Sequence, residues 1–177
     1  DMGDVRTVKA LKESVKRMEE LLEVKPEIVA CDMHPSYNTR AAAEEMGLPV
    51  FPVQHHYAHI LSCMAENEWT TKKKVIGVSF DGTGYGTDGT IWGGEILLAD
   101  YDSFKRWGCI EPFAQTGGDA SAKEGWRIAV SLLGKIYGKE IALSIIETLG
   151  LCESKLAKLQ FTMEERGINT VKSTSAG

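Results

Sequence analysis

Phe80-Asp81-Gly82-Thr83-Gly84-Tyr85-Gly86-Thr87-Asp88-Gly89-Thr90-Ile91-Trp92-Gly93-Gly94-Glu95 is the stretch whose reading decides the fold. Val75 to Phe80 is a strand-like run that empties into it. Gly82-Thr83-Gly84-Tyr85-Gly86 has the look of a dinucleotide fingerprint, but that fingerprint must open a helix. Here Thr90 to Ala99 reads as a second strand, and no Gly-Lys-Ser/Thr follows to make a Walker loop. What remains is a hairpin with a glycine loop over 81–89, turned by Asp88-Gly89. Its backbone amides can form an anion-binding nest, with the Thr83 and Thr87 hydroxyls as further donors. The alternative is a long hairpin turn; the surplus of glycine favours close approach to a ligand.

Upstream, the pattern alternates. Val5 to Val24 carries Val8, Leu11, Val15, Met18, Leu21 and Leu22 at helical spacing, with Asp4 placed to cap it and Lys25-Pro26 to end it. Glu27 to Cys31 is a short buried strand, Asn38 to Met46 a helix closed by Gly47, and Pro49 to Val53 a second strand. His55 to Glu66 is helical again. Alternation of this kind means an α/β layer with parallel strands. Residues 67–74 are polar and read as a linker between a first lobe, 1–70, and the start of a second, 75–177.

Downstream, Arg106 to Phe113 is expected as a third strand of an antiparallel meander. Helices follow over Ala122–Tyr137, Lys139–Leu149 and Ser154–Arg166, with Asp119 as cap of the first. Asp1-Met2-Gly3 and Ser173 to Gly177 do not read as natural termini, so the chain is expected to be a piece of a longer protein, incomplete at its carboxyl end.

Of the 177 residues 43% are hydrophobic and 25% charged, which is globular composition. A net charge of −5 argues against a nucleic-acid partner, which calls for a basic footprint. Cys31, Cys63, Cys109 and Cys152 form no C-x-x-C pair, and are read as small buried hydrophobes of a reducing, cytoplasmic compartment. No apolar run is long enough for a membrane span, so no membrane partner is expected.

Two further constellations carry chemistry. Gln54-His55-His56-Tyr57-Ala58-His59 holds three of the four histidines. On a helix His55 and His59 share a face and can offer two imidazoles to one metal, while His56 points away. A helix N-terminus with exposed histidines is the alternative, and the glutamate of H-E-x-x-H is absent. Asp81, at the end of a strand, is the leading third ligand, or else a turn aspartate. Separately, Gly117-Gly118-Asp119 opens a helix expected to carry Lys123 and Arg127 on one face. That arrangement suits an anionic substrate, or equally a capped surface helix with a basic stripe.

Taken together, Cys31-Asp32-Met33-His34-Pro35, the 54–59 cluster, the sixteen residues Phe80–Glu95, Gly117-Gly118-Asp119 with Trp126-Arg127, and Ser173-Thr174-Ser175-Ala176-Gly177 resemble the HypF carbamoyltransferase family. The resemblance spans nearly the whole chain and falls in that family's carboxy-terminal region, which is related to the tRNA threonylcarbamoyl-transferases. It implies a partial actin/Hsp70-like ATPase fold. It implies His55, His59 and Asp81 as ligands of a divalent metal, zinc or iron, with a further aspartate from sequence beyond Gly177. Gly82, Thr83, Gly84, Tyr85 and Gly86 would hold the phosphates of ATP or carbamoyl adenylate. Gly117, Gly118, Asp119, Lys123 and Arg127 would bind substrate. The donor, carbamoyl adenylate, would come from a neighbouring domain, and the acceptor would be the C-terminal cysteine thiol of the partner HypE, for the cyanide ligands of nickel–iron hydrogenase. Tyr57 stands where the family often has another histidine, and Lys123 and Gly125 stand where arginine and proline are expected.

The expected chemistry is carbamoyl transfer from a mixed anhydride to a thiolate, with metal and loop amides stabilising developing charge. Two other functions compete with it: a tRNA threonylcarbamoyl-transferase-like enzyme, and a non-catalytic module that docks the partner. A metal-dependent hydrolase ranks behind these for want of a general base.

Overall fold

The computed structural model describes residues 4–176, and of Val5 the backbone only. Of the stretches from which the expectation about the termini is drawn, Asp1, Met2, Gly3 and Gly177 lie outside the described residues. The chain forms two compact units: residues up to Val75 together with Ala99–Phe104, and Ile76–Leu98 together with Lys105 onward.

In the first unit, helix α1 (Val5–Leu22) is capped by Asp4, whose carboxylate accepts the Arg6 amide at 2.8 Å. The helix stops at Glu23, which takes a left-handed conformation, so it ends before Lys25-Pro26 rather than at it. Met18, Leu21 and Leu22 of its apolar stripe stay exposed. Strands β1 (Val29–Asp32) and β2 (Val50–Val53) pair in parallel, in the register Val29↔Val50 through Asp32↔Val53. Helix α2 (Asn38–Glu44) crosses between them, and Gly47 just beyond it has the positive φ that its place at the helix end requires. Helix α3 (His55–Glu66) leaves the carboxyl end of β2. Gln54 caps it, accepting the Tyr57 amide at 2.9 Å. His56, Tyr57, Ile60 and Met64 form its buried face. Tyr57 also ties segment 99–104 to this unit: its hydroxyl donates to the Asp100 carbonyl at 2.7 Å and its ring lies 4.7 Å from Phe104.

The second unit is a mixed sheet backed by helices. Strands β3 (Val75–Tyr85), β4 (Ile91–Ala99), β5 (Phe104–Cys109), β6 (Phe113–Thr116) and β7 (Thr170–Ser173) run in the order β3-β4-β7-β6, with β5 also on β4. β7 is parallel to β4 and antiparallel to β6. Helices α4 (Asp119–Lys123), α5 (Trp126–Tyr137), α6 (Lys139–Leu149) and α7 (Ser154–Arg166) lie between β6 and β7 in the chain. Val130, Ala142, Ile146, Ala157 and Phe161 form the shared core of α5, α6 and α7. Among the described residues no helix is long and apolar enough to cross a membrane.

Four expectations are corrected here. The loop expected over 81–89 is strand as far as Tyr85, and only 86–90 turn, closed by the Gly86 amide on the Thr90 carbonyl at 2.9 Å. Pairing with β4 satisfies more backbone groups than an open loop would. The single strand expected over Arg106–Phe113 is two, because Pro112 has no amide to give a ladder. The helix expected over Ala122–Tyr137 is broken at Glu124-Gly125, and Gly118 rather than Asp119 occupies its N-cap, without a side-chain hydrogen bond. β7 was not anticipated at all. Its approach is made possible by Gly93, where a Cβ would collide with the Ser175 Cα and stand 2.6 Å from the Asp81 carbonyl oxygen.

Candidate functional site

The β1–β2 register sets the histidine site of the first unit. Asp32 pairs with Val53, and the Met33 amide donates to the Val53 carbonyl at 3.2 Å. Both strands therefore finish side by side, one delivering Asp32 and the other running through Gln54 into α3. Ends of parallel strands are where α/β layers place their sites. Gln54 and His56 are sealed in, with Gln54 Nε2 3.2 Å from His56 Nδ1. His55 is half-buried and His59 exposed, on the opposite face of α3.

The two outward imidazoles meet through their Nε2 atoms at 3.3 Å. That is the edge of a tetrahedron whose centre lies about 2.0–2.1 Å from each corner, the bond length of imidazole to zinc. His55 Nδ1 lies 3.1 Å from Asp32 Oδ2, and Asp32 Oδ1 accepts the His34 amide at 2.8 Å. His34 stacks on Tyr37 with centroids 4.0 Å apart, and its Nδ1 accepts the Ser36 amide at 3.2 Å. A cavity of about 650 Å³ adjoins His55 and Asp32 within this unit, with Cys31, Val53, Leu61 and Tyr101 on its walls. The donor set and spacing fit a borderline divalent metal such as zinc or iron.

In the second unit, Asp81 lies on β3, and its carboxylate accepts the amide of Gly82 at 2.6 Å. It is a strand residue, not a turn aspartate. Gly82, Thr83, Gly84 and Tyr85 continue the same strand, and Gly86 begins the turn. Among 82–89 only Gly89 has a positive φ, 76°, so the alternating backbone of an anion nest is not formed by 82–86. The Thr87-Asp88 turn is instead organised by Asp88. Its Oδ1 accepts from the Thr90 amide at 3.1 Å, the Thr90 hydroxyl at 2.7 Å and Trp92 Nε1 at 3.0 Å. Its Oδ2 faces Arg106 Nη1 at 3.2 Å. Partial burial pushes the Asp88 carboxyl up, but those hydrogen bonds and the guanidinium hold it below the usual carboxylate range.

Arg106 does more than meet Asp88. It makes a two-pronged pair with Glu95, Nε to Oε2 at 2.6 Å and Nη2 to Oε1 at 2.9 Å, while stacking 4.3 Å over the Trp92 ring. Glu95 is fully buried, and it also accepts from the Thr174 hydroxyl. Segment 174–176 is further tied by the Ala176 amide on the Asp81 carbonyl at 3.0 Å and the Ser175 hydroxyl on the Gly82 carbonyl at 2.5 Å. The 80–95 stretch and the Ser173–Ala176 stretch are thus one construction.

The third constellation is not the anion cradle expected. Gly117 and Gly118 have φ of 110° and 56° and turn the chain into α4, a helix of five residues that begins with Asp119. Lys123 ends that helix and Arg127 belongs to α5, so the two do not share a helix face. Arg127 is already engaged: Nε donates to Glu124 Oε2 at 2.7 Å and the guanidinium covers Trp126 at 4.5 Å. The cysteines are also less buried than expected, with Cys63 exposed and the others half-buried; they form no disulfide.

Sequence reasoning missed Asp32, Glu95, Arg106 and Thr174 as site residues. A signal existed for two of them. Asp32 directly follows the apolar run Ile28–Cys31, and Glu95 is a lone charge inside the apolar run Ile91–Ala99.

Comparison with known proteins identifies the family and the fold of the chain. Residues 77–177 match the family described as carbamoyltransferase, Kae1-like domain, second subdomain, and residues 1–66 match the HypF Kae1-like domain. The carbamoyltransferase HypF homolog of Cupriavidus necator is 35% identical over 190 residues, covering 100% of this chain and 45% of its own length. Carbamoyltransferase HypF2 of the same organism is 42% identical over 146 residues, covering 80% of this chain and 18% of its own. A crystal structure of full-length HypF in a phosphate- and nucleotide-bound form superposes with a TM-score of 0.89 at 35% identity, over 100% of this chain and 23% of that one. The T. kodakarensis HypF structure gives 0.83 at 32% identity, over 99% and 24%. The chain therefore spans less than half of the length of each of these relatives, and it shares their mixed α/β architecture.

Proposed function

The chain belongs to the HypF carbamoyltransferase family, and from that premise we propose that it serves as the carbamoyl-transfer region of such a protein, built on an actin/Hsp70-like ATPase fold. The donor is carbamoyl adenylate and the acceptor is the C-terminal cysteine thiol of HypE, in the synthesis of cyanide ligands for nickel–iron hydrogenase. The acceptor thiolate sulfur forms a bond to the carbamoyl carbon, and the bond from that carbon to the adenylate oxygen breaks. AMP leaves with the electron pair.

The observation that carries this reading is the His55–His59 pair, two Nε2 atoms 3.3 Å apart on one face of α3. In the proposal His55 and His59 hold a divalent metal, zinc or iron, with Asp81 of the second unit as a further ligand. When bound, the metal supplies a Lewis acid for charge developing on the donor's oxygens. The chain's own residues orient the donor. In the proposal the extended backbone from Gly82 to Gly86, rather than an anion nest, lies against its phosphates; the similar full-length HypF structure is a phosphate- and nucleotide-bound form. The Gly117-Gly118 turn and Asp119 remain candidates for substrate contact through the backbone. The thiol attacked belongs to the partner, so none of the four cysteines of this chain is asked to act as nucleophile, and the reading keeps the protein in the cytoplasm.

Metal content of the full chain by elemental analysis, together with transfer of labelled carbamoyl to HypE, tests the reading. His59→Ala is expected to lower both, with transfer falling at least 100-fold, given that a bound metal contributes several kcal/mol to charge stabilisation. Retention of metal and of transfer by His59→Ala refutes it.

A further inference from the structure

We infer that Asp32 is the positioning residue of the histidine site: it fixes the orientation and tautomer of His55 so that Nε2, not Nδ1, is presented beside His59. The inference rests on the metal reading above and adds to it a residue outside the proposed ligand set.

The argument begins in the backbone. Asp32 is the last residue of β1 and is held opposite Val53, two residues before His55, by the parallel register. The Met33 amide on the Val53 carbonyl extends the pairing one step beyond the strand. Asp32 is therefore placed by the sheet and not by the histidine it meets. Its carboxylate is fixed at both oxygens. Oδ1 accepts the His34 amide at 2.8 Å, a turn that locks χ1, and Oδ2 is left 3.1 Å from His55 Nδ1. The Asp32 side chain is 18% exposed and that of His55 34%, so the contact is sheltered from solvent.

A carboxylate oxygen is an acceptor only, so the imidazole nitrogen facing it must carry the proton. With Nδ1 donating, the lone pair sits on Nε2, and it is Nε2 that lies 3.3 Å from the Nε2 of His59. Carboxylate–histidine pairs of this form orient metal ligands and raise their basicity, and their loss typically weakens metal binding 10- to 100-fold. A purely structural Asp32 would need only the His34 turn. The second oxygen, aimed at Nδ1, is what that explanation leaves without a use.

The experiment compares full chain carrying Asp32→Ala, Asp32→Asn and His55→Ala with wild type. The asparagine variant keeps an acceptor for the His34 amide, and so separates the turn from the charge. Two readouts are taken. In metal-free protein, long-range nitrogen–proton NMR of labelled histidine is expected to show His55 as the Nδ1–H tautomer in wild type, reverting to Nε2–H in Asp32→Ala. With Co²⁺ as probe, d–d absorption and competition by Zn²⁺ are expected to show affinity reduced 10- to 100-fold in Asp32→Ala. Asp32→Asn should fall between it and wild type, and His55→Ala should be weakest. An Nε2–H tautomer in wild type overturns the inference. So does Co²⁺ affinity within twofold of wild type in both Asp32 variants while His55→Ala loses it. Wild type with the Nδ1–H tautomer but no Co²⁺ binding overturns the metal reading on which the inference stands.

Discussion

Removing Arg106 should destabilise the second unit through the charge it leaves behind. Glu95 is fully buried, and Arg106 meets both of its carboxylate oxygens at 2.6 and 2.9 Å. In Arg106→Ala the carboxylate keeps only the Thr174 hydroxyl and a long contact from the Gly93 amide at 3.4 Å. Breaking one side of a buried pair costs about 3–5 kcal/mol, because the surviving charge is left without its counter-ion. Arg106 is itself a quarter exposed, so water can reach the vacated space, and the lower end of that range applies. The lost stacking on Trp92 adds about 0.5–1 kcal/mol. The expected loss is therefore about 4 kcal/mol, or roughly 8–16 °C in Tm for a chain of this size. Replacing both partners, Glu95→Leu with Arg106→Met, should recover most of it, since apolar substitutes for a buried pair are commonly neutral or better. Urea unfolding of the full chain followed by circular dichroism measures the stability. Amide exchange at Gly94, whose N–H donates to the Thr174 carbonyl, reports the same event locally. A single variant within 1 kcal/mol of wild type would refute the reasoning, as would a double variant no better than the single.

Two further outcomes follow from packing and charge. Gly134→Ala on α5 would set a Cβ 2.5 Å from the Phe161 ring, and overpacking of about 1–3 kcal/mol should outweigh the gain of about 1 kcal/mol in helix propensity; a thermal melt above wild type would contradict this. Burial pushes the Glu164 carboxyl above its usual 4.5, against opposing hydrogen bonds from Gln160, Ser131 and Thr116 and the charge of Lys139. The folded state then holds the proton more tightly than the unfolded one, so this group's contribution is full below 4.5 and is lost as pH rises through the folded pKa. Glu164→Gln should match wild type at pH 4 and exceed it in stability at pH 7, and equal stabilities at both pH values would count against the assignment.

Local chemistry made much of this legible from the amino-acid order. His55–Glu66, Lys139–Leu149 and Ser154–Arg166 were bounded correctly because apolar spacing marks their extent, with Gly138, Gly150 and Gly167 flanking the latter two. The histidine pair followed from helical geometry alone. What stayed hidden depends on partners far away in the chain. The glycine-rich stretch looked like a loop because its residues have little strand preference, and β4 is what holds it extended. β7 is four residues long and gains its place only from β4 and β6. The basic pair Lys123 and Arg127 was set on one helix by spacing, yet Gly125 divides them. Asp32 falls just past the strand expected over Glu27–Cys31 but ends β1 in the structure, and its meeting with His55 is a product of register.

The order β3-β4-β7-β6 has a practical meaning for anyone cutting this protein into parts. β6, with α5 and α7 packed on it, is joined to β4 within the sheet through β7. Seven residues, Thr170 to Ala176, therefore act as a rivet between the glycine hairpin and the helical half of the unit. A fragment stopped before Thr170 would keep every helix and still lose an interior strand, exposing two edges to edge-on self-association. The safe places to divide the chain lie outside that rivet, however peripheral its numbering makes it look.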